Sequence, residues 1–151
     1  MTEQTVDRDE IFTVETIPFI VALALAPLVL GAPAWGYMML ADEFNLNISF
    51  LSFIAVFPAA ALPFGTPSYL VFGAPAFWLA IRHGTSTSAA GQAANVVSVP
   101  FVVLFFFVFI ERAQIESILV IYLFFGSIFA AAWGGIFGTI YRWLAKERTN
   151  A

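Results

Sequence analysis

Few side chains in this sequence could do chemistry, and those few stand apart. His83 is the single histidine. An imidazole at a membrane edge could ligate a haem or a chlorophyll magnesium, but His83 sits between Arg82 and Gly84, where a solvated loop position is the simpler account. No second histidine exists to complete a bis-histidine haem or a conventional zinc site. Asn95 and Ser98 lie one helical turn apart and could hydrogen-bond across helices. Trp133 carries an indole N–H in the middle of an apolar run, and at that depth the N–H wants an acceptor. A carbonyl freed by a proline would serve, as would Asn95 or Ser98; otherwise the indole simply fills space. With no cysteine, disulfides, thiolate metal sites and cysteine nucleophiles are excluded. The sequence has no Gly-rich nucleotide loop, catalytic triad or paired carboxylates. We therefore expect no enzyme, with no catalytic residue, metal or cofactor.

What must position these residues is a membrane. Of 151 residues, 61% are hydrophobic and only 11% charged, with a mean hydropathy of +0.90, far outside the range of soluble domains. The net charge of −4 provides no basic surface for nucleic acid. The acidic start MTEQTVDRDE lacks the positive charge of a signal peptide, so the first apolar segment is expected to remain as a transmembrane helix.

The hydropathy pattern predicts an all-α membrane protein, a four-transmembrane-helix bundle with a proline-broken second helix. A polar tail over residues 1–15 precedes spans at about 17–40, 48–82 (bent), 90–110 and 117–144, all in one integral membrane domain. Thr16 is the expected N-cap of the first span, with Pro18 in its first turn. Trp35 and Tyr37 near its end suit the headgroup level. The second apolar run, from Ile48 to Ile81, would make a straight helix of roughly 50 Å against a hydrocarbon core of roughly 30 Å. Pro58, Pro63, Pro67 and Pro75 each remove a donor, so the helix should break, most sharply at Pro63-Phe64-Gly65-Thr66-Pro67, with Gly73 and Pro75 completing the break. Irregular backbone at that depth must be covered by protein or line a cavity, so the elbow belongs inside the bundle. Residues 48–62 could alternatively be re-entrant, and a split at Gly65 would give five spans. Thr85 to Gln92, TSTSAAGQ, reads as loop or a frayed helix start.

Gly126, Ala130, Gly134 and Gly138 recur every fourth residue along the last span, with Gly135 adjacent. Such a stripe lets another helix approach closely, either within the bundle or from a second subunit. Orientation follows from Lys and Arg: four spans with both termini cytoplasmic put Arg8, Arg82, Arg142, Lys146 and Arg148 inside and only Arg112 outside. The spans are free of Asp, Glu, Lys and Arg except at their ends, which argues against proton relays and ion pumps.

The order PFGTPSYLVFGAPAFWLAIRHG, a Pro-interrupted helix, and a Gly/Ala-rich last helix ending in YRWLAKER resembles small four-span bacterial inner-membrane proteins of unassigned function. That resemblance, carried by Gly65, Pro67, Tyr69, Gly73 and Pro75 before a basic turn, implies a multi-pass protein of the bacterial inner membrane and brings no activity with it. The expected role is a non-catalytic accessory or assembly subunit of a larger membrane complex, respiratory or photosynthetic, with the lipid bilayer and other integral membrane subunits as partners. The alternative is a small-solute channel or transporter acting as a homo-oligomer around the broken second helix.

Overall fold

The computed structural model describes residues 13–44, 49–109 and 115–149. Within them α1 spans Thr16–Glu43, α2 spans Ser49–Ser68, a π-helical segment Tyr69–Gly73 leads into α3 (Ala74–Arg82), α4 spans Thr87–Phe109 and α5 spans Ile115–Thr149. Counting α2 to α3 as one continuous helix, four helices are long and apolar enough to cross a bilayer. The chain is a multi-pass helical bundle in the membrane. Residues 1–12, 45–48, 110–114 and 150–151, Arg8 and Arg112 among them, lie outside the described residues.

Glu15, not Thr16, occupies the N-cap of α1, and no side chain caps it. Its backbone N–H instead donates to the Tyr141 hydroxyl at 3.1 Å, which ties the start of α1 to the far end of α5. This long-range partner, invisible in local sequence, satisfies one of the N–H groups left over at the helix start, and Pro18 at the third helical position has none to satisfy.

The second helix is interrupted, but not at Pro63, Gly65 and Pro67. The α pattern runs on through Pro58, Pro63 and Pro67 and yields only at Tyr69–Gly73. The reason lies in where the freed carbonyls find donors. Pro63 cannot donate to Ala59, and the Trp35 indole of α1 does so instead, at 2.8 Å. Nearby the Thr66 hydroxyl bonds the Leu62 carbonyl, which no proline frees, and adds a local anchor to the same stretch. With such partners a proline bends a lipid-embedded helix without ending it. Pro75 is handled differently. The Ala74 N–H reaches back five residues to the Tyr69 carbonyl, and the widened turn places Pro75 in the first turn of α3, where a missing N–H costs least. Gly73 closes the π segment. Because the backbone stays helical from Ser49 to Arg82, the chain neither reverses as a re-entrant segment nor splits into two spans at Gly65.

After α3 the chain turns sharply. Gly84 adopts φ 62°, and the Gly84 and Thr85 N–H groups return to the carbonyls of Ile81 (3.1 Å) and Ala80 (2.8 Å), a left-handed helix cap that glycine makes at no steric cost. Ser86 then caps α4, its hydroxyl accepting the Ala89 N–H at 3.3 Å. The small polar stretch read as loop or a frayed helix start is therefore helical from Thr87 onward. Tertiary contact decides this: the Ser88 hydroxyl donates to the Ala131 carbonyl of α5 at 2.8 Å, and Gly91 is buried against the same helix.

Around the bundle each helix packs on its neighbours in sequence, and α1 closes the ring against α5; α4 and α5 share the longest seam. Ala22 and Ala26 of α1 meet an aromatic column of Tyr69, Phe77, Trp133, Phe137 and Tyr141. Phe77 stacks on Phe137 at 4.6 Å, and Phe19 meets Phe137 edge-on at 5.2 Å. Lipid tails are as apolar as these rings, so dispersion contact rather than expulsion from water holds the column together. It fills the end of the bundle that holds Glu15, the Arg82–Ser86 turn and Tyr141. Towards the other end, α1 and α2 meet through the small residues Ala34, Ala55 and Ala59.

Candidate functional site

The small-residue stripe of α5 is used within the chain. A Cβ on Gly134 would run into the Thr87 backbone, one on Gly138 into the Thr87 side chain, and one on Gly126 into the Asn95 amide at 2.7 Å. Ala130 presents its carbonyl to Gly91, whose own Cβ would strike it. The stripe thus has a counterpart on α4, Thr87 and Gly91, which sequence spacing alone did not single out.

Where this seam continues past Gly126, α2 stands away from α4. The π segment and α3 pack on α4, whereas α2 packs mainly on α1. Between α2, α4 and α5 this leaves a cavity of about 800 Å³. Phe64, Val71 and Phe101 line it and are at the same time exposed, so its mouth is on the outer surface between α2 and α4. These residues sit near the middle of their helices, which places the mouth at the depth of the hydrocarbon core. Aromatic walls flank the space: Phe57 stacks on Phe125 at 4.0 Å, and Phe72 meets Phe101 at 4.9 Å.

The cavity brings together the expected polar residues. Ser98, fully buried, donates to the Asn95 carbonyl at 2.6 Å and shares a 2.6 Å hydrogen bond with the Tyr122 hydroxyl. One serine proton serves one acceptor, so Tyr122 is the donor in the second bond. The Asn95 amide reaches Ser127 across the seam at 3.4 Å. Trp133 lies on the same wall but makes neither of the contacts expected for it: its Nε1 is buried and has no hydrogen-bond partner among the described residues. The proline-freed carbonyl at Ala59 has gone to Trp35, which the sequence had suggested for the headgroup level. Tyr69, whose ring meets Trp133 edge-on at 5.3 Å, also has a buried hydroxyl with no partner among the described residues. Gly65 lets the α2 backbone approach the Trp133 ring, a Cβ there falling 3.0 Å from the indole. Among the described residues the walls hold no carboxylate, amine, guanidinium or imidazole. They can donate and accept hydrogen bonds but cannot hold a charge.

A second, shallower groove of about 540 Å³ runs along the outside between α1 and α5. Its floor is Ala131, Gly135 and Thr139, again at four-residue spacing but one position on from the inward stripe. Nothing lies within 4 Å of a Cβ placed on Gly135. The Thr139 hydroxyl is satisfied by the Gly135 carbonyl at 2.9 Å, so the floor offers apolar contact rather than an unmet hydrogen bond. Searches of protein-family models, curated proteins and solved structures give no match for this chain.

Proposed function

We propose that this chain is a non-catalytic accessory subunit of the bacterial inner membrane, which packs sideways against other integral membrane chains. The outer groove carries the proposal. The Gly126–Gly138 stripe is spent on α4, while Ala131, Gly135 and Thr139 form a second small-residue seam that the chain's own fold leaves open. Small residues at four-residue spacing admit close backbone approach, the main source of helix association in lipid. The described cavity walls add support, since they carry no carboxylate, amine or imidazole of the kind that usually marks a proton or ion path.

Affinity purification of the tagged protein from its native membrane in mild detergent tests this. Other integral membrane chains should accompany it in fixed proportion, and Gly135→Leu, whose Cβ falls in open space in the groove, should reduce their recovery several-fold, with circular dichroism checking that the protein stays folded. The runner-up is a small-solute transporter, favoured by the cavity between α2, α4 and α5. Recovery of a defined homo-oligomer without other chains, insensitive to Gly135→Leu and conducting solute in vesicles, would overturn the subunit reading in its favour.

A further inference from the structure

We propose that the cavity between α2, α4 and α5 is a binding site for an uncharged, membrane-dissolved molecule with a carbonyl head and an apolar chain. Three observations meet there, and none depends on the accessory-subunit reading. The first is the mouth. Phe64, Val71 and Phe101 both line the cavity and face outward at mid-span, so a ligand enters from the hydrocarbon and not from water. The second is the wall. Among the described residues it has no ionisable side chain except tyrosines, and its volume of about 800 Å³ suits an aromatic head or the upper part of a lipid chain. A charged headgroup would find no counterion in it.

The third observation selects the head. The Trp133 Nε1 and the Tyr69 hydroxyl are both buried, on two cavity-lining residues whose rings meet edge-on at 5.3 Å, and both lack a partner among the described residues. A buried N–H or O–H without an acceptor costs about 1–3 kcal/mol, and in a bilayer no water is at hand to relieve it. The adjacent ring face is only a weak acceptor. Indole N–H can donate but never accept, so whatever relieves it must present an acceptor, and a carbonyl oxygen is the acceptor that membrane-soluble molecules commonly carry. A modest swing of the indole at the cavity wall would meet it. The neighbouring Tyr122–Ser98–Asn95 chain is already satisfied internally, so it shapes the site without competing for the head.

Two sources share this chemistry: an isoprenoid quinone, with a ring carbonyl, and a neutral glycerolipid such as a diacylglycerol, with an ester carbonyl. The full-length protein, purified in mild detergent, is extracted and its lipids are quantified by mass spectrometry; in parallel it is titrated with a benzoquinone bearing a ten-carbon tail. Three variants are compared: Trp133→Phe and Tyr69→Phe each remove one donor but keep a ring, and Ala94→Phe fills the space. About one equivalent of quinone in the extract, with probe affinity lowered about tenfold in the Phe variants and abolished by Ala94→Phe, supports the proposal with a quinone as ligand. One equivalent of glycerolipid, lost in the same variants and not displaced by the probe, supports it with a lipid as ligand. Should Trp133→Phe fail to fold by circular dichroism, Tyr69→Phe decides by the same readouts. Lipid of bulk composition, retained equally by every variant, together with no saturable probe binding, overturns it.

Discussion

A proline inside a lipid-embedded helix leaves a carbonyl with nothing to bond, and at Ala59 the remedy is a side chain from another helix. Trp35 donates to that carbonyl because Pro63 cannot. Trp35→Phe keeps the ring but orphans the carbonyl, and should destabilise the protein by about 1 kcal/mol, the usual scale of an interhelical hydrogen bond in a bilayer. Pro63→Ala restores the backbone donor, so in that background the same substitution should cost less than half as much. Equilibrium unfolding in mixed SDS micelles, run as a double-mutant cycle, gives the coupling directly. Simple additivity of the two changes would show that Trp35 stabilises by packing alone. The need for an acceptor at buried indoles was legible in the sequence, but its assignment was not. Trp35 and Pro63 come together through the register of an antiparallel pair, and that register is set by small residues such as Gly31, Ala55 and Ala59 scattered along two helices.

Between elements, the α4–α5 seam depends on which atoms a glycine faces. Gly134 faces the Thr87 backbone, which cannot move without moving the start of α4; Gly126 faces the Asn95 side-chain amide, which can rotate. Gly134→Ala should therefore cost about 2 kcal/mol or more, on the scale of overpacking a tight contact, and Gly126→Ala clearly less. Gly36→Ala, with nothing within 4 Å, should be neutral or stabilise by up to about 1 kcal/mol through helix propensity. Thermal denaturation of the three single variants ranks them, and equal losses at Gly134 and Gly126 would contradict the backbone argument. Four-residue spacing made the α5 half of this seam readable. The α4 half was hidden because Thr87, Ser88 and Gly91 have the composition of a loop, and only contact with α5 makes them helix. The π segment was hidden for a related reason: prolines mark where donors are missing, but they do not say at which of them the helix changes pitch, and α1, α2 and α4 each run on through prolines of their own.

For the whole molecule, the Glu15–Tyr141 hydrogen bond and the Arg82–Ser86 turn place the start of α1, the end of α3 and the far part of α5 at one end of the bundle. Arg82, Arg142 and Lys146 lie towards that end, while Asp42 and Glu43 close α1 at the other. Arg82 sits over the Trp78 ring at 5.0 Å, a pairing that holds a cation beside an aromatic at the bilayer edge. Positive residues are retained on the cytoplasmic side during insertion, so this end should face the cytoplasm, as should both termini. The absence of cysteine makes this testable without a background, since any introduced thiol is unique. In sealed, right-side-out vesicles a membrane-impermeant maleimide should label Asn47→Cys at once, and Gln4→Cys or His83→Cys only after permeabilisation. Labelling of Gln4→Cys and His83→Cys from opposite sides would mean that an odd number of spans separates them, which two crossings, α1 and the α2–α3 helix, cannot give. If both were labelled from outside while Asn47→Cys was protected, the bundle would stand with its orientation inverted, and charges beyond the three cations named here would have to govern its insertion.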